Sequence, residues 1–489
     1  MRHLVDRDLV GRGFVRRLVA VPLVLTLLAT ACGKSRNATA PTSPPGTAAT
    51  SSSATGGSAP VTQSAPALPT FGDAPWPCGK GDGANTDSGN EPGVTKDAIS
   101  IAGGDDAGYV GAPGLSHEVT DAMKAMVAGC NELGGINGRK ITFNYFDAKI
   151  FEVVAAVQGA CDQKNFFLVG EGWAFDGTQE ETRLKCGLPA VPTYSVSGAF
   201  AHGKDVFVGV PNPSDEMSAG FFAQMAQLFP TEVKKVVTLV GAFSATQESR
   251  DKVLAVAPQF GWSFVPTKLE YNPVGEADWT PFVKQIQASG ATMIYWSGTC
   301  LPHLQLFAQT AKANGLDLPI VTDANHYATV CAGANNDGSL NKVYVRLNSV
   351  PLEEADTNKA TRDYIDIIKK YGGDVALLGT QAASSFLLWA TASSECGAEL
   401  TRACALANLA KITTWTGHGL HSEGNPAQNH PSACNIVLKI EGTGYKRVTP
   451  TERGKYECKP EWVAKISTTP ALALALLDAN RISQQFAAK

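Results

Sequence analysis

Short apolar runs alternate with amphipathic stretches along most of the chain. The first apolar run covers residues 99–102, and the next amphipathic stretch covers residues 117–133, where Val119, Met123 and Met126 recur at helical spacing. Glycines at positions 134 and 135 favour the end of this helix. The beginning of the pattern therefore predicts a strand that is followed by a long helix.

The same alternation predicts the remaining elements, with a second series that begins after residues 206–210. Further strands are predicted at residues 141–146, 166–170, 190–191, 236–241, 263–269, 293–296, 319–322, 435–440 and 445–448. Further helices are predicted at residues 153–164, 178–184, 218–229, 247–260, 281–288, 301–314, 359–371, 382–392 and 400–410.

Strands that alternate with helices of this length indicate an α/β fold with parallel sheets and right-handed crossovers. Residues 93–465 exceed what one hydrophobic core usually organises, so two Rossmann-like lobes joined by several crossovers are expected. We assign residues 93–210 and 350–432 to lobe 1, residues 211–349 and 433–465 to lobe 2, and residues 466–489 to a C-terminal tail.

The beginning of the chain is typical of an export signal. Arginines dominate the charges before an apolar stretch at residues 18–28, and small residues follow, up to Cys32. The apolar stretch is shorter than the roughly 20 residues of a membrane-spanning helix. Cys32 resembles the lipid-accepting cysteine of a bacterial lipobox, although Ala29 stands where leucine is commonest. We expect a signal peptide at residues 1–31 and lipidation of Cys32; an ordinary signal that ends near a cysteine is the alternative.

Residues 32–92 are interpreted as a tether. Between residues 37 and 70, only four positions fall outside Ala, Pro, Ser, Thr and Gly. Such a composition buries too little apolar area to offset the entropy of ordering the chain. A flexible linker of about 40 residues spans roughly 35 Å, enough to hold a folded domain clear of a membrane. The expected location is therefore the extracytoplasmic face of the bacterial cell membrane, where the lipid is the anchor.

The charge balance argues against a nucleic-acid partner. Without residues 1–31, which hold five arginines and two aspartates, the formal net charge moves from −4 to −7. Proteins that bind DNA or RNA need a basic surface instead. The sequence also lacks the GxSxG, P-loop and GxGxxG patterns of common enzyme classes. We therefore expect no enzyme and no cofactor.

Ten cysteines remain after Cys32, and an even number in an exported protein suggests five disulfides. Zinc is the competing interpretation, but no CxxC pair is present, so no metal site is predicted. Spacing alone does not give connectivity. We expect neighbours to pair, as Cys78–Cys130, Cys161–Cys186, Cys300–Cys331, Cys396–Cys404 and Cys434–Cys458.

Residues 129–141, Gly-Cys-Asn-Glu-Leu-Gly-Gly-Ile-Asn-Gly-Arg-Lys-Ile, carry a resemblance to a known family. This run resembles the end of the first helix and the second strand of type I periplasmic binding proteins, and most of all the branched-chain amino-acid receptors of ABC importers. Shorter segments at residues 145–147, 168–170, 187–192, 290–295 and 311–316 are similar as well. The resemblance covers residues 93–449.

The resemblance implies a cleft that closes on a small-molecule solute, two or three crossover strands as the hinge, and an ABC permease as partner. The expected function is therefore that of a solute-binding receptor of an ABC importer for a small organic solute, amino-acid-like or aromatic and apolar. A ligand-sensing protein of the same fold that acts on a signalling partner is the alternative, because fold does not fix function.

Candidate ligand-binding residues follow from the rule that parallel sheets bind ligands beyond the carboxyl ends of their strands. The loops at these ends contain the candidates Asp106, Trp173, Phe175, Asp176, Tyr194, Ser195, Thr246, Trp296, Thr299 and Asp323. Four of them are aromatic and are expected either to line a cleft for a large or apolar solute or to pack in the lobe cores.

In the amino-acid receptors, hydroxyl residues and backbone N–H groups hold the ligand carboxylate, and a glutamate of the far lobe holds the ammonium. Here Phe175 and Asp176 stand where a serine is expected. The glutamate position aligns near Ala324, and Asp323 beside it is a possible substitute. The resemblance therefore leaves an α-amino-acid ligand in doubt.

Three histidines, His418, His421 and His430, lie in a loop rich in Gly, Asn and Pro. Their spacing is compatible with a metal site, but we interpret them as surface residues of the loop.

Overall fold

The computed structural model describes residues 69–467 and 472–486. The predicted signal peptide, Cys32 and the larger part of the predicted tether lie outside these residues. Within them the strands are β1 Thr70–Phe71, β2 Ala74–Pro75, β3 Ala98–Asp105, β4 Lys140–Asp147, β5 Leu168–Val169, β6 Ala190–Val191, β7 Glu216–Ser218, β8 Val236–Gly241, β9 Phe264–Tyr271, β10 Met293–Ser297, β11 Ile320–Thr322, β12 Val343–Leu347, β13 Cys434–Glu441, β14 Gly444–Thr449, β15 Glu457–Cys458 and β16 Val463–Lys465.

The α-helices of the same residues connect these strands. They are α1 His117–Leu133, α2 Val153–Asp162, α3 Glu180–Lys185, α4 Gly198–Ala201, α5 Gly220–Leu228, α6 Ser244–Val256, α7 Thr280–Ser289, α8 Gln305–Ala313, α9 Thr329–Gly333, α10 Lys359–Tyr371, α11 Leu377–Ser394 and α12 Arg402–Leu409. No helix in the described part of the chain is both long and apolar enough to cross a membrane.

A parallel sheet of four strands, in the order β4-β3-β5-β6, forms the centre of lobe 1. Helices α1, α10, α11 and α12 contribute to one apolar cluster with this sheet, in which Ile99 and Val119 pack with Phe386 and Trp389. Helix α11 is buried on nearly all sides, because it is apolar around its whole circumference. Segments far apart in sequence therefore share the core of lobe 1.

A mixed sheet of eight strands forms the centre of lobe 2. Its order is β14-β13-β12-β11-β10-β8-β9, and β15 pairs with β13. Strands β8 to β12 are parallel, whereas β13 runs antiparallel to β12 and to β14. Every residue of β8 is buried, as expected for a central parallel strand that is covered on both faces.

The structure confirms the predicted α/β class with two lobes and parallel sheets. Several elements differ from the prediction. Strand β12 was not predicted, and neither were the short strands β1, β2, β7, β15 and β16 or the short helices α4 and α9. Helix α11 begins five residues before the predicted residue 382. The alternation of buried and half-buried residues along β12 is the signal of a strand with one covered face, and it is present in the sequence Val-Tyr-Val-Arg-Leu.

Five disulfides join the ten cysteines of the described residues in the same pairs that the sequence analysis expected. Their Cα–Cα distances range from 4.0 to 6.1 Å. Cys161–Cys186 and Cys396–Cys404 each link an α-helix to a neighbouring segment in lobe 1. Cys78–Cys130 ties the end of the predicted tether to α1, and Cys434–Cys458 joins β13 to β15. Cys300–Cys331 links the loop after β10 to helix α9.

The histidines of the late loop require a correction. His418 and His421 are buried, and not on the surface as predicted. The imidazole of His421 is 2.8 Å from the hydroxyl oxygen of Ser384 through Nε2 and 2.8 Å from the carbonyl oxygen of Ser422 through Nδ1. Burial lowers the pKa of His421 to about 4. This imidazole therefore has a structural role, in which it ties the loop to helix α11.

Candidate ligand-binding site

A cavity of about 250 Å³ lies between the two lobes. Lobe 1 contributes the segments that follow β3, β5 and β6, and lobe 2 contributes the ends of β8, β10, β11 and β12. The cavity therefore lies beyond the carboxyl ends of the strands of both sheets, where parallel α/β folds bind their ligands. Apolar side chains from both lobes line it, among them Leu115, Val196, Phe243, Leu347 and Leu378.

Five of the predicted ligand-binding residues line this cavity: Tyr194, Ser195, Thr246, Thr299 and Asp323. The first two belong to lobe 1 and the other three to lobe 2. The hydroxyl of Ser195 is buried and has no hydrogen-bond partner among the described residues. The hydroxyl of Thr246 instead donates to the carbonyl oxygens of Gly241 and Phe243 at 2.5 and 2.9 Å. Thr246 therefore fixes the start of α6.

Trp296 lies in the core of lobe 2, away from the cavity. Its ring is fully buried and stacks on the ring of Tyr271 at 4.9 Å and on that of Phe307 at 5.5 Å. The reason is the two-residue period of strand β10, because neighbours in a strand face opposite sides of the sheet. The side chains of Tyr295 and Ser297 point to the cavity side instead, where both hydroxyls donate to Asp323.

Trp173 is likewise a core residue, with 1% of its surface exposed. It packs in an apolar cluster with Ala102, Val157 and Phe200, and its indole N–H points to the carbonyl oxygen of Phe146 at 3.4 Å. The structure therefore removes Trp173 and Trp296 from the candidate site.

Two predicted aspartates order the loops of lobe 1. The carboxylate of Asp106 accepts hydrogen bonds from the backbone N–H groups of Ile150 and Ala174, both at 2.7 Å. The carboxylate of Asp176 accepts from those of Val196 and Ser197 at 2.6 and 3.0 Å. Burial raises the pKa of Asp106 to about 6 and that of Asp176 to about 7. Because Ala174 and Val196 line the cavity, both aspartates support its wall.

Phe175 lies at the edge of the site. Together with Asp176 it lines an adjoining cavity of about 330 Å³. Its ring contacts that of Phe243 in lobe 2 edge to face, with centroids 5.9 Å apart. A second contact between the lobes lies nearby, where the backbone N–H of Gly198 donates to Glu248 at 3.2 Å. The lobes thus touch directly beside the cavity.

Asp323 is the centre of a polar cluster on the lobe 2 side. Its Oδ2 accepts hydrogen bonds from the hydroxyls of Ser249, Tyr295 and Ser297 at 2.8, 2.9 and 3.1 Å. Its Oδ1 lies 3.0 Å from Nη2 of Arg346. Although burial opposes the charged form, Arg346 and these hydroxyls hold the pKa of Asp323 below its usual value. Asp323 is therefore an ionised carboxylate with its charge balanced inside the cluster.

Two cations line the cavity in addition. Lys252, on helix α6, donates to Oδ1 of Asn212 at 2.6 Å and to the carbonyl oxygen of Pro213 at 2.7 Å. Burial, followed by the nearby charge of Arg346, lowers the pKa of Lys252 to about 7. Arg346, on strand β12, is the second cation of the lining, and its planar guanidinium carries five N–H donors. Among the described residues, no three His, Cys, Asp or Glu side chains are grouped as metal ligands.

Arg346 and Lys252 were not among the residues predicted from the sequence. Arg346 lies on β12, which was not predicted, so no candidate ligand-binding residue was assigned to the end of this strand. Lys252 lies one and a half turns along α6 from Thr246, so a search restricted to loops passed over it. Periodicity supplies the missing signal in both cases, since the Val-Tyr-Val-Arg-Leu alternation marks a strand and residues 245, 249 and 252 share one face of a helix.

Known structures share this architecture. The branched-chain amino acid transporter substrate binding protein LivJ from Streptococcus pneumoniae, solved with isoleucine, is 16% identical, with a TM-score of 0.58 over 72% of this chain and 100% of its own. The leucine binding protein LivK from Thermotoga maritima is 14% identical, with a TM-score of 0.59 over 72% and 98%. The fatty acid ABC transporter substrate-binding protein from Thermomonospora curvata is 16% identical, with a TM-score of 0.59 over 73% and 93%.

At these identities the structural neighbours establish the fold, and the family rests on the sequence. No protein of curated function matches the chain. The family model described as periplasmic binding protein matches residues 105–445, a span that includes the ends of all the strands around the cavity up to β12. With the match over more than half of its length and two lobes around a shared cavity, the chain belongs to the periplasmic binding protein family.

Proposed function

We propose that this protein is the lipid-anchored, extracytoplasmic solute-binding receptor of an ABC importer. The observation that carries the proposal is the cavity itself, because residues of both lobes line it and a small molecule inside it touches both. Two structural neighbours support it: one, solved with isoleucine, is a branched-chain amino acid transporter substrate binding protein, and the other is a fatty acid ABC transporter substrate-binding protein. The predicted signal peptide and Cys32 supply the route to the membrane surface.

The lobe boundaries predicted from the sequence form part of the proposal. Lobe 1 comprises residues 93–210 and 350–432, and lobe 2 comprises residues 211–349 and 433–465. Support comes from the apolar clusters, since Ile141 and Phe386 share one cluster, whereas Val237 and Ile436 share another. The contacts between Gly198 and Glu248 and between Phe175 and Phe243 then lie between the lobes. Such contacts form only when the lobes are close together.

A thermal-shift screen of the full chain against a library of small organic solutes tests the binding function. A ligand that binds only the native state stabilises it by about 2.7 kcal/mol at a hundredfold excess over Kd. We expect one chemical class of solute to raise the melting temperature in a concentration-dependent manner. A screen in which no solute raises it would contradict the proposal.

Uptake measurements separate the importer from the sensing alternative. Deletion of the gene in the host is expected to abolish high-affinity uptake of the solute that the screen identifies. Unchanged uptake, together with loss of a transcriptional response to the same solute, would favour the sensing protein.

A further inference from the structure

We propose that the cavity selects an organic monocarboxylate with an apolar body and no ammonium group, and that Arg346 binds the carboxylate. This inference rests on the proposed solute-binding function and specifies the class of its ligand. It follows from the charges that line the cavity, from the way in which Asp323 is bonded, and from the donors that remain.

In the described part of the chain, the ionisable acidic and basic side chains along the cavity are Lys252, Asp323 and Arg346. Asp323 is therefore the sole carboxylate with which a ligand ammonium could pair there. Burial of an ammonium group without such a partner is costly in free energy, because the group loses its hydration and gains no interaction with an opposite charge. The ligand preference thus depends on whether Asp323 is available.

The carboxylate of Asp323 is already bonded to other side chains of the protein. Three hydroxyls donate to its Oδ2, and the guanidinium of Arg346 faces its Oδ1 at 3.0 Å. A carboxylate offers about four lone-pair positions, so little accepting capacity remains. An ammonium at this position would also lie beside Arg346 and meet repulsion between like charges. The cluster therefore disfavours an amino acid, although its carboxylate stands next to the position that the family resemblance assigns to ammonium binding.

Arg346, unlike Asp323, has hydrogen-bonding groups left for a ligand. Its Nη2 pairs with Asp323, whereas Nε and Nη1 have no hydrogen-bond partner among the described residues, and its side chain is 21% exposed. A guanidinium donates in a planar fork that matches a carboxylate, and its ion pair with Asp323 fixes its position. Lys252 is less suited, because two of its N–H bonds are already used by Asn212 and Pro213.

The rest of the cavity suits an apolar ligand body. Leu115, Val196, Phe243, Leu347 and Leu378 contribute apolar lining from several directions. Burial of alkyl or aryl groups against such walls is favourable by about 25 cal/mol per Å² of apolar surface. The hydroxyl of Ser195, buried and unpartnered within the described residues, is a further polar group at the lobe 1 side. The site thus offers one cationic anchor in a largely apolar wall.

Two series of ligands with matched carbon skeletons test the proposal. The first is leucine, 4-methylpentanoate and 3-methylbutylamine, and the second is phenylalanine, 3-phenylpropanoate and 2-phenylethylamine. Each is titrated calorimetrically at neutral pH into the full chain carrying Cys32→Ser. We expect at least one of the two carboxylates to bind at least tenfold tighter than its amino acid, and both amines to give no binding. An amino acid that binds as tightly as its carboxylate, or tighter, would overturn the proposal.

Variants test the anchor. Arg346→Gln is expected to weaken carboxylate binding at least tenfold, as loss of a hydrogen bond to a charged group does. The double variant Asp323→Asn with Arg346→Gln leaves no unpaired charge in the cluster and should show the same loss of affinity. It keeps the test valid if the unpaired charge of Asp323 prevents the single variant from folding. Lys342→Gln, which removes an exposed cation of lobe 2 that pairs with Asp317, is the matched control and should change nothing. Unchanged affinity in both Arg346 variants would overturn the role of Arg346.

The library screen separates this inference from the function on which it rests. If neither series binds but a neutral or cationic solute raises the melting temperature, the ligand class is wrong and the receptor function stands. If no solute of any class binds, both are wrong.

Discussion

The guanidinium of Arg346 lies 3.0 Å from the carboxylate of Asp323, and the two residues come from neighbouring strand ends of lobe 2. In this pair Arg346 balances the charge of Asp323, which stands next to the position that the family resemblance assigns to ammonium binding. The pair also orients the remaining N–H groups of the guanidinium. Because of this ion pair, the site is expected to prefer an anionic ligand to an amino acid.

Stability is expected to fall as the pH rises, because of Glu171. This side chain is buried, and neither carboxylate oxygen has a hydrogen-bond partner in the described ranges. Burial raises the pKa of Glu171 from 4.5 to about 8. Between these values the folded protein keeps a proton that the unfolded chain has released. The group's contribution to stability is thus complete below pH 4.5 and is lost as the pH rises through 8, at about 1.4 kcal/mol per pH unit.

Urea denaturation between pH 5 and 7.5 measures this dependence. Glu171→Gln keeps the shape of the side chain and removes the titration, so its free energy of unfolding should fall less steeply with pH, by about 1.4 kcal/mol per unit. Glu395→Gln, at an exposed position, is the control and should follow the unchanged protein. Equal slopes for all three proteins would show that Glu171 is ionised in the folded state.

Trp296 is expected to matter for stability and little for ligand contact. Trp296→Ala removes a fully buried ring from the stack with Tyr271 and Phe307, which should cost about 3–5 kcal/mol of unfolding free energy. Tyr194→Ala alters a cavity wall and should weaken solute binding with a smaller loss of stability. Denaturation and calorimetry on both variants separate these effects. The reverse pattern would return Trp296 to the ligand site.

The disulfide Cys300–Cys331 is expected to support both the fold and the site. It directly follows Thr299, which lines the cavity, and each native disulfide typically contributes about 2–4 kcal/mol. Replacement of both cysteines by serine should lower the melting temperature and weaken solute binding. The same double replacement at Cys396 and Cys404, in lobe 1 and outside the cavity lining, should lower the melting temperature alone. Equal affinities in the two variants would show that the loop does not need the bond.

Anchoring is expected to depend on Cys32. Replacement by alanine removes the thiol that accepts the lipid, so the protein should leave the membrane fraction or remain unprocessed. Metabolic labelling with a fatty-acid analogue and fractionation of the cells measure this. Label that persists on the Cys32→Ala protein would show that the lipobox interpretation is wrong.

Sequence periodicity predicted most of the fold because each lobe is built from regular strand–helix repeats. Helix α1 and strand β8 have the predicted bounds, since their apolar patterns end at glycines or at charged residues. Strand β12 was missed because two of its five residues, Tyr344 and Arg346, are only half-buried, and Arg346 interrupts its apolar run. The disulfide pairs were predicted from nearness in sequence. This rule succeeds here because each cysteine bonds to the next cysteine along the chain.

The candidate site was only partly predictable. The strand-end rule selected the loops of Tyr194, Ser195 and Asp323, which line the cavity, because the rule depends on topology alone. The rule did not give side-chain direction, and so it included Trp296, although it is the next residue, Ser297, that lines the cavity. The pairing of Asp323 with Arg346 joins residues from two strands that are 23 positions apart, and no local pattern reports such a contact. Only the assembled sheet brings the two charges together.

The distance between the lobes, measured with and without solute, tests the central claim most directly. Fluorophores attached through unnatural amino acids at Val154 in lobe 1 and Val274 in lobe 2, both exposed, leave the disulfides intact. Because only a ligand that prefers the closed form shifts the equilibrium, single-molecule energy transfer should show one shorter distance at saturating solute and a longer or mixed distribution without it. Glu248→Ala, which removes the contact with Gly198, should weaken this closure. An unchanged distribution while calorimetry shows bound solute would contradict the account of two lobes that close on their ligand.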